Sequence, residues 1–271
     1  MLRYYIEHTL EPDDTAVHNN VRKSKEGASP LVYATEEERT GRFVMKQTPR
    51  LESTEADALR FLNKAAPTLR IPRLLHSFVH RGSTFTVMTR IPGELMCEVG
   101  LLDDEWESIC RDIVEELRQL RKLKQPRDIA GCVMMSASGH GLPLTLLLPE
   151  NEGMRAGPYR SIHDLYRTAL PWLDLADPSI DDEISVLAQD SIHWVHTDLL
   201  THNVMVEMKD DRYQFSGIID WEDCGWFPSQ FQVGSVRLLG PSAVGWKQFW
   251  GSWLFDDTSE AAYKAYEKLH R

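Results

Sequence analysis

The sequence predicts an α+β fold in which a β-rich first third leads into a mostly helical remainder. Three observations carry that reading. Short runs rich in Val, Thr and Phe, separated by Gly-bearing turns, crowd the first 90 residues. The break Ile91-Pro92-Gly93 then interrupts the pattern. Beyond it, apolar residues recur at three- and four-residue spacing. We therefore expect two lobes. Residues 1–90 form a small mixed or antiparallel β lobe, residues 91–271 form a helical one, and the cleft between them is a favoured place for a ligand.

Taken in order, the first 45 residues are the least legible. Leu31–Thr35 and Arg42–Gln47 flank the polar turn Glu36-Glu37-Glu38-Arg39-Thr40-Gly41 and predict a hairpin. A helix is expected from Ser53 through Leu62, because N-cap residues lead into good helix formers and Pro67 and Pro72 bracket its exit. Strands follow at Arg73–His80 and Thr84–Arg90 around Arg81-Gly82. The clearest helix carries Trp106, Ile109, Cys110, Ile113, Val114, Leu117 and Leu120 on one face, with Asp103 placed to cap it. Residues 126–158 read as loops with short extended pieces. Helical segments are expected at Ser161–Asp174 and Ile180–Ser191, then strands at Trp194–Val195, Val204–Met208 and Phe215–Ile219. The last 40 residues predict two or three packed helices.

Composition narrows the class. A chain of 271 residues that is 42% hydrophobic is long enough for a sizeable core, and its charges are interspersed. A net charge of −11 argues against a nucleic-acid binder, which needs a basic face, and is compatible with a cationic small-molecule substrate. The four cysteines are scattered without a C-x-x-C pair, so buried thiols are expected rather than a zinc site. The apolar stretch Leu142–Leu148 contains Pro143 and is too short to span a bilayer, so no membrane association is expected and the cytoplasm is the default compartment.

The chemistry is concentrated in His196-Thr197-Asp198-Leu199-Leu200-Thr201-His202-Asn203, between two strand-like runs. Seventeen residues beyond Asn203, Asp220 ends the apolar run Ile218-Ile219. Phosphoryl transfer needs a group to orient a hydroxyl and take its proton, and hard oxygen ligands for the magnesium that neutralises phosphates. Asp198 and Asn203 on one loop and Asp220 at an adjoining strand end could supply them. The spacing H-x-D-x-x-x-x-N followed by a strand-borne Asp is a kinase pattern. A polar loop in which Asp198 and Asn203 bond only backbone groups is the alternative. His196 could act as an acid–base or fix the loop through hydrogen bonds.

On these residues, and on Ile218-Ile219-Asp220-Trp221-Glu222-Asp223-Cys224-Gly225-Trp226-Phe227-Pro228, the run 193–232 resembles the aminoglycoside phosphotransferase and choline-kinase-like superfamily, which has a protein-kinase-like fold; the second motif is similar to that of fungal members. The resemblance implies an ATP- and magnesium-dependent phosphotransferase acting on a hydroxyl of a small molecule. It implies Asp198 as catalytic base, and Asn203 and Asp220 as magnesium ligands. Lys46 in Phe43-Val44-Met45-Lys46 would meet phosphate, and Glu55 would pair with it, with Glu52 as the alternative partner. The backbone of Thr89, Arg90 and Ile91 would meet adenine, and Ser29 would donate to phosphate. The loop Lys23–Pro30 carries a single glycine, so a non-catalytic kinase-fold binding protein and a cleft reused for other chemistry stay open. The chain departs from the family at Thr197, where glycine is common, and at Gln232, where an acid is usual.

Overall fold

The computed structural model describes residues 21–23, 31–35, 43–48, 54–143, 155–169, 178–232 and 257–269. Its first body is a five-stranded antiparallel sheet in the order β1-β2-β3-β5-β4, from Val21–Lys23 (β1), Leu31–Thr35 (β2), Phe43–Thr48 (β3), Leu74–His80 (β4) and Ser83–Thr89 (β5). β2 pairs with β3 as the expected hairpin, with Val32 opposite Lys46. On its other side Lys46 faces Thr86 of β5. β3 is thus a central strand, and Lys46, itself buried, lies near its middle. Helix α1 (Thr54–Ala65) connects β3 to β4 and buries Ala58, Leu59 and Leu62. The tight turn between β4 and β5 uses Arg81 and Gly82, both at positive φ.

After β5 come β6 (Glu94–Leu95) and helix α2 (Asp103–Arg121). The predicted inner face of α2 is buried at Ile109, Cys110, Ile113, Val114, Leu117 and Leu120, while Trp106 at its start is only partly buried against the same core. The cap of α2 differs from the expected one. The helix begins at Asp103, the N-cap position falls on Leu102, and Glu105 turns back to accept the Leu102 N–H at 2.8 Å. The other oxygen of Glu105 accepts the Tyr213 N–H at 2.7 Å, so the cap also ties α2 to a strand. That strand, β11 (Arg212–Ile218), pairs with β10 (Val204–Lys209), and β10 with β6. The expected Phe215–Ile219 strand thus starts three residues earlier, because the exposed Arg212 and Gln214 hide its alternation. Three short strands were not expected: β1, β6 and β12 (Gly225–Pro228), the last of which pairs with β9 (Ile192–Val195). The loop region closes with β7 (Leu142–Pro143) against β8 (Arg155–Ala156).

Helices α3 (Ile162–Ala169), α4 (Pro178–Leu187) and α5 (Asp257–Leu269) complete the described elements. The first two occupy the predicted helical segments; the remainder of the Ser161–Asp174 segment lies outside the described residues, α4 ends four residues before Ser191, and the rest of the expected C-terminal helical region also lies outside the described residues. Two cores result. One joins Leu59 and Leu62 of α1 to Ile113 and Leu117 of α2 and to Trp194, Val204, Ile218 and Trp221. The other packs Leu165 and Tyr166 of α3 against Ile184 and Leu187 of α4, Phe227 and Phe231, and Ala262 and Tyr266 of α5. Phe61 of α1 stacks at 4.7 Å on Trp194, so the helix behind the sheet reaches the strand before the catalytic-type loop. Arg70 adds a second tie, donating from Nε to Glu116 at 2.8 Å and lying 4.2 Å over the Phe215 ring. Among the described residues no helix is long and apolar enough to cross a membrane.

The junction between the bodies leaves no room for a side chain at Gly93. Its φ is +102°, and a Cβ there would stand 2.0 Å from the Val206 carbonyl oxygen. Gly93→Ala therefore combines backbone strain with a clash against a central strand. We expect a loss of about 2 kcal/mol or more, seen as a lowered midpoint in thermal unfolding.

Candidate functional site

The loop 196–203 is held in place by its own backbone and by two neighbours. Leu200 N–H bonds to the Asp198 carbonyl at 3.0 Å, and Asn203 N–H to that of Leu200 at 2.9 Å, forming the short turn Thr201–Asn203. Ile219 N–H then bonds to the Asn203 carbonyl at 2.9 Å, which brings the end of β11 alongside the end of the loop. His196 is fully buried. Its Nε2 lies 3.0 Å from the Ile219 carbonyl, and its ring stands edge-on to Trp221 with centroids 4.8 Å apart. Burial holds the imidazole below its ordinary pKa, despite opposing effects from the Ile219 carbonyl, Asp198 and Asp220. Burial thus favours the neutral ring at this position.

Gln232 grips the start of the loop. Its Oε1 accepts the His196 N–H at 3.0 Å and its Nε2 donates to the His196 carbonyl at 3.1 Å. A carboxylate can only accept, so the amide satisfies both backbone groups where an acid could serve one. Thr197, the other departure, is not among the described residues with positive φ, so the position does not need glycine.

Asp198 is half exposed, whereas Asn203 is buried. Asn203 Nδ2 donates to the Asp198 carbonyl at 2.7 Å and to Asp198 Oδ2 at 3.0 Å. With its nitrogen so engaged, Asn203 keeps its Oδ1 as a neutral oxygen donor. His202 Nε2 stands 3.2 Å from the same Asp198 Oδ2.

Lys46 gathers the other half of the site. Its Nζ lies 2.7 Å from Asp220 Oδ1, 3.0 Å from Glu222 Oε2 and 3.1 Å from Glu55 Oε2, joining β3, α1 and the turn after β11. Burial alone would lower the Lys46 pKa, but the three carboxylates outweigh it and hold the ammonium well above its usual range. Asp220, 40% exposed at its side chain, is held below the ordinary carboxylate value: partial burial opposes this and the charge and hydrogen bond of Lys46 prevail. Glu55 goes the other way. Its side chain is 1% exposed, and burial raises its carboxyl more than Lys46 lowers it. One ammonium thus faces three carboxylates whose oxygens lie within 4.8 Å of one another, which leaves formal negative charge in excess. Glu55 has a second bond, accepting the Trp221 N–H at 3.2 Å through Oε1.

The turn after β11 is sharply bent. Asp220 and Asp223 both take positive φ, at 59° and 60°, and Trp221 between them is fully buried. Asp223 is tied to the first residue of α1. Thr54 Oγ1 donates to Asp223 Oδ1 and accepts the Asp223 N–H, each at 2.9 Å.

The structure thus brings Lys46, Glu55 and Asp220 together, and brings Asp198 and Asn203 together on the adjoining loop. Ser29 and the alternative partner Glu52 lie outside the described residues. Of the expected hinge, Thr89 is occupied as a structural bracket. Its N–H bonds to the Arg73 carbonyl at 2.9 Å and its Oγ1 accepts the Arg73 N–H at 2.7 Å. That N–H is therefore engaged, while Arg90 beyond it is exposed and Ile91 half-buried. Glu222 and Gln232 were missed as site residues. The run of acids from 220 to 223 signalled the first, whereas only the fold pairs the second with His196.

The chain superposes on the GDP complex of aminoglycoside 2′-phosphotransferase-IIIa with a TM-score of 0.59 at 16% identity, covering 99% of this chain and 88% of that one. It superposes on aminoglycoside phosphotransferase APH(3″)-Id from Streptomyces rimosus with a TM-score of 0.55 at 16% identity, covering 97% of each chain. A thermostable mutant of APH(4)-Ia, in ternary complex with AMP-PNP and hygromycin B, gives a TM-score of 0.51 at 15% identity over 99% of this chain and 82% of that one. At such identities the likeness establishes the kinase-like α+β fold. None of the curated proteins compared matches the chain. The family model described as the phosphotransferase enzyme family matches residues 20–263. With nearly the whole chain matched, this protein belongs to the phosphotransferase enzyme family.

Proposed function

We propose that the protein transfers the γ-phosphoryl group of ATP, with magnesium, to a hydroxyl of a small molecule. In this reading residues 1–90 form the nucleotide-binding lobe and residues 91–271 carry the catalytic loop and acceptor site. The observation that carries it is the convergence on Lys46 Nζ of Glu55 from α1 and Asp220 from the end of β11, all within 3.1 Å. Lysine held by a helix glutamate and set against a strand-end aspartate is the arrangement that positions phosphates in kinases. Asn203 Oδ1 and the Asp220 carboxylate are the hard oxygens that would hold magnesium, with Glu222 beside them. The excess negative charge there suits a divalent cation. When bound, magnesium neutralises charge building on the phosphates.

The residues of the chain do the rest. Asp198, half exposed on its loop, orients the acceptor hydroxyl and takes its proton as the new oxygen–phosphorus bond forms. The bond from the γ-phosphorus to the bridging oxygen breaks, and its electron pair leaves on the nucleoside diphosphate. His196 fixes the loop from behind. Arg90 and Ile91 offer backbone groups to the base. The relatives bind GDP and AMP-PNP respectively, so the choice between ATP and GTP is part of the test. Calorimetric titration of the full chain with each nucleotide should give binding that needs magnesium and is lost in Lys46→Met. Absence of nucleotide binding with magnesium present sinks the proposal and favours a binding protein of another kind. Turnover that continues without nucleotide points instead to a cleft put to other chemistry.

A further inference from the structure

The reading above leaves one residue of the loop without a task, His202. It follows Asp198 by four positions and precedes Asn203, on the turn Thr201–Asn203, and half of its side chain is exposed. Its Nε2 reaches Asp198 Oδ2 at 3.2 Å, the oxygen that Asn203 Nδ2 reaches at 3.0 Å. A carboxylate oxygen only accepts, so Nε2 carries the proton of that contact. Two donors on one oxygen have two consequences. They stop the carboxylate from turning about its Cβ–Cγ bond, and they occupy Oδ2. Oδ1 is left to meet an acceptor hydroxyl. Among the described residues, His202 is also the only basic side chain within 4.0 Å of Asp198. The buried His196 cannot take this part, because its Nε2 faces the Ile219 carbonyl.

We propose that His202 is a positioning residue for phosphoryl transfer, clamping Asp198 Oδ2 together with Asn203 so that Oδ1 is presented to the acceptor oxygen. The inference rests on the phosphotransferase reading. The bland alternative is an exposed pair four residues apart on a turn, worth little in stability and nothing in rate. The two differ in where a loss would be felt. A clamp acts only when the proton moves, whereas Lys46 and its carboxylates lie on the side of the nucleotide. Removing His202 should therefore lower kcat and leave the KM for nucleotide alone.

Two measurements on the full chain test this together. The first is steady-state phosphate release from ATP and magnesium, with water as acceptor. His202→Ala should lower kcat about three- to tenfold with KM changed less than about twofold. His202→Gln, whose amide can still donate to Oδ2, should recover most of the loss. The second is the histidine ring NMR spectrum, with the His202 signals identified by their disappearance in His202→Gln. Those signals should move in Asp198→Asn and stay in place in Asp181→Asn, a surface control. Unmoved signals in Asp198→Asn overturn the contact. A wild-type kcat in His202→Ala, in a protein whose turnover still depends on Asp198, overturns the clamp alone. Signals that move in a wild-type protein without turnover overturn the phosphotransferase reading, and the clamp falls with it.

Discussion

Asp198→Asn is expected to yield a folded protein that binds magnesium nucleotide as the wild type does but turns it over about 10²- to 10⁴-fold more slowly, the usual worth of a positioned base. Asparagine fills the same space, and its Oδ1 can still accept from His202 and Asn203, so the loop keeps its bonds. The side chain is half exposed, so the change removes little buried structure. Thermal unfolding should accordingly shift by no more than a few degrees. Calorimetry and phosphate release on one preparation check both halves. Unchanged turnover in Asp198→Asn removes Asp198 from the role of base, whatever the fold.

Lys46→Met should do the opposite to stability. The Lys46 side chain is 5% exposed, and Glu55 beneath it is 1% exposed. Removing the ammonium leaves a buried carboxylate whose one remaining hydrogen-bond partner among the described residues is the Trp221 N–H, and breaking such a pair costs about 3–5 kcal/mol. Most of this falls on Glu55, because Asp220 is 40% exposed and water screens it. The double variant Lys46→Met with Glu55→Gln should regain much of the loss, since glutamine can still accept the Trp221 N–H, and it should regain no activity. The pH dependence follows from the raised Glu55 carboxyl. A carboxyl whose folded value lies above its unfolded value supports the fold fully below the unfolded value, and that support fades as pH rises through the folded one. Without Lys46 the upward shift grows, so the single variant should be weakest at neutral and higher pH and recover on mild acidification. Denaturant titrations at several pH values read this directly. A variant as stable as wild type at neutral pH means that Lys46 does not compensate Glu55.

Why these parts were legible, and others not, follows from how each is encoded. Asp198, Asn203 and Asp220 sit at fixed offsets on one loop and one strand end, so local spacing locates them. The buried face of α2 was legible because six apolar residues recur at helical spacing along one long helix. Its cap was not, because Glu105 caps through a side chain that also answers Tyr213, a residue 108 positions away. β6 and β12 escaped for a similar reason. Two to four residues show no period, and their strand character comes wholly from partners in β10 and β9. The bonds between Thr89 and Arg73 were hidden in the same way, because they join segments 16 residues apart. Glu222 and Gln232 belong to the same class. Their chemistry is ordinary in sequence and becomes specific only when Lys46 and the His196 backbone are brought to them.

Glu55 touches Lys46 through one oxygen and the backbone just after Asp220 through the other. Thr54, beside it, is bonded twice to Asp223. The first turn of α1 therefore holds Lys46 and the turn from Asp220 to Asp223 as a single fitting. A tilt of that helix would carry both out of alignment at once, and neither could drift alone. Substitutions along α1 that touch nothing in the cleft should thus act like a dimmer, scaling nucleotide affinity and turnover by a common factor.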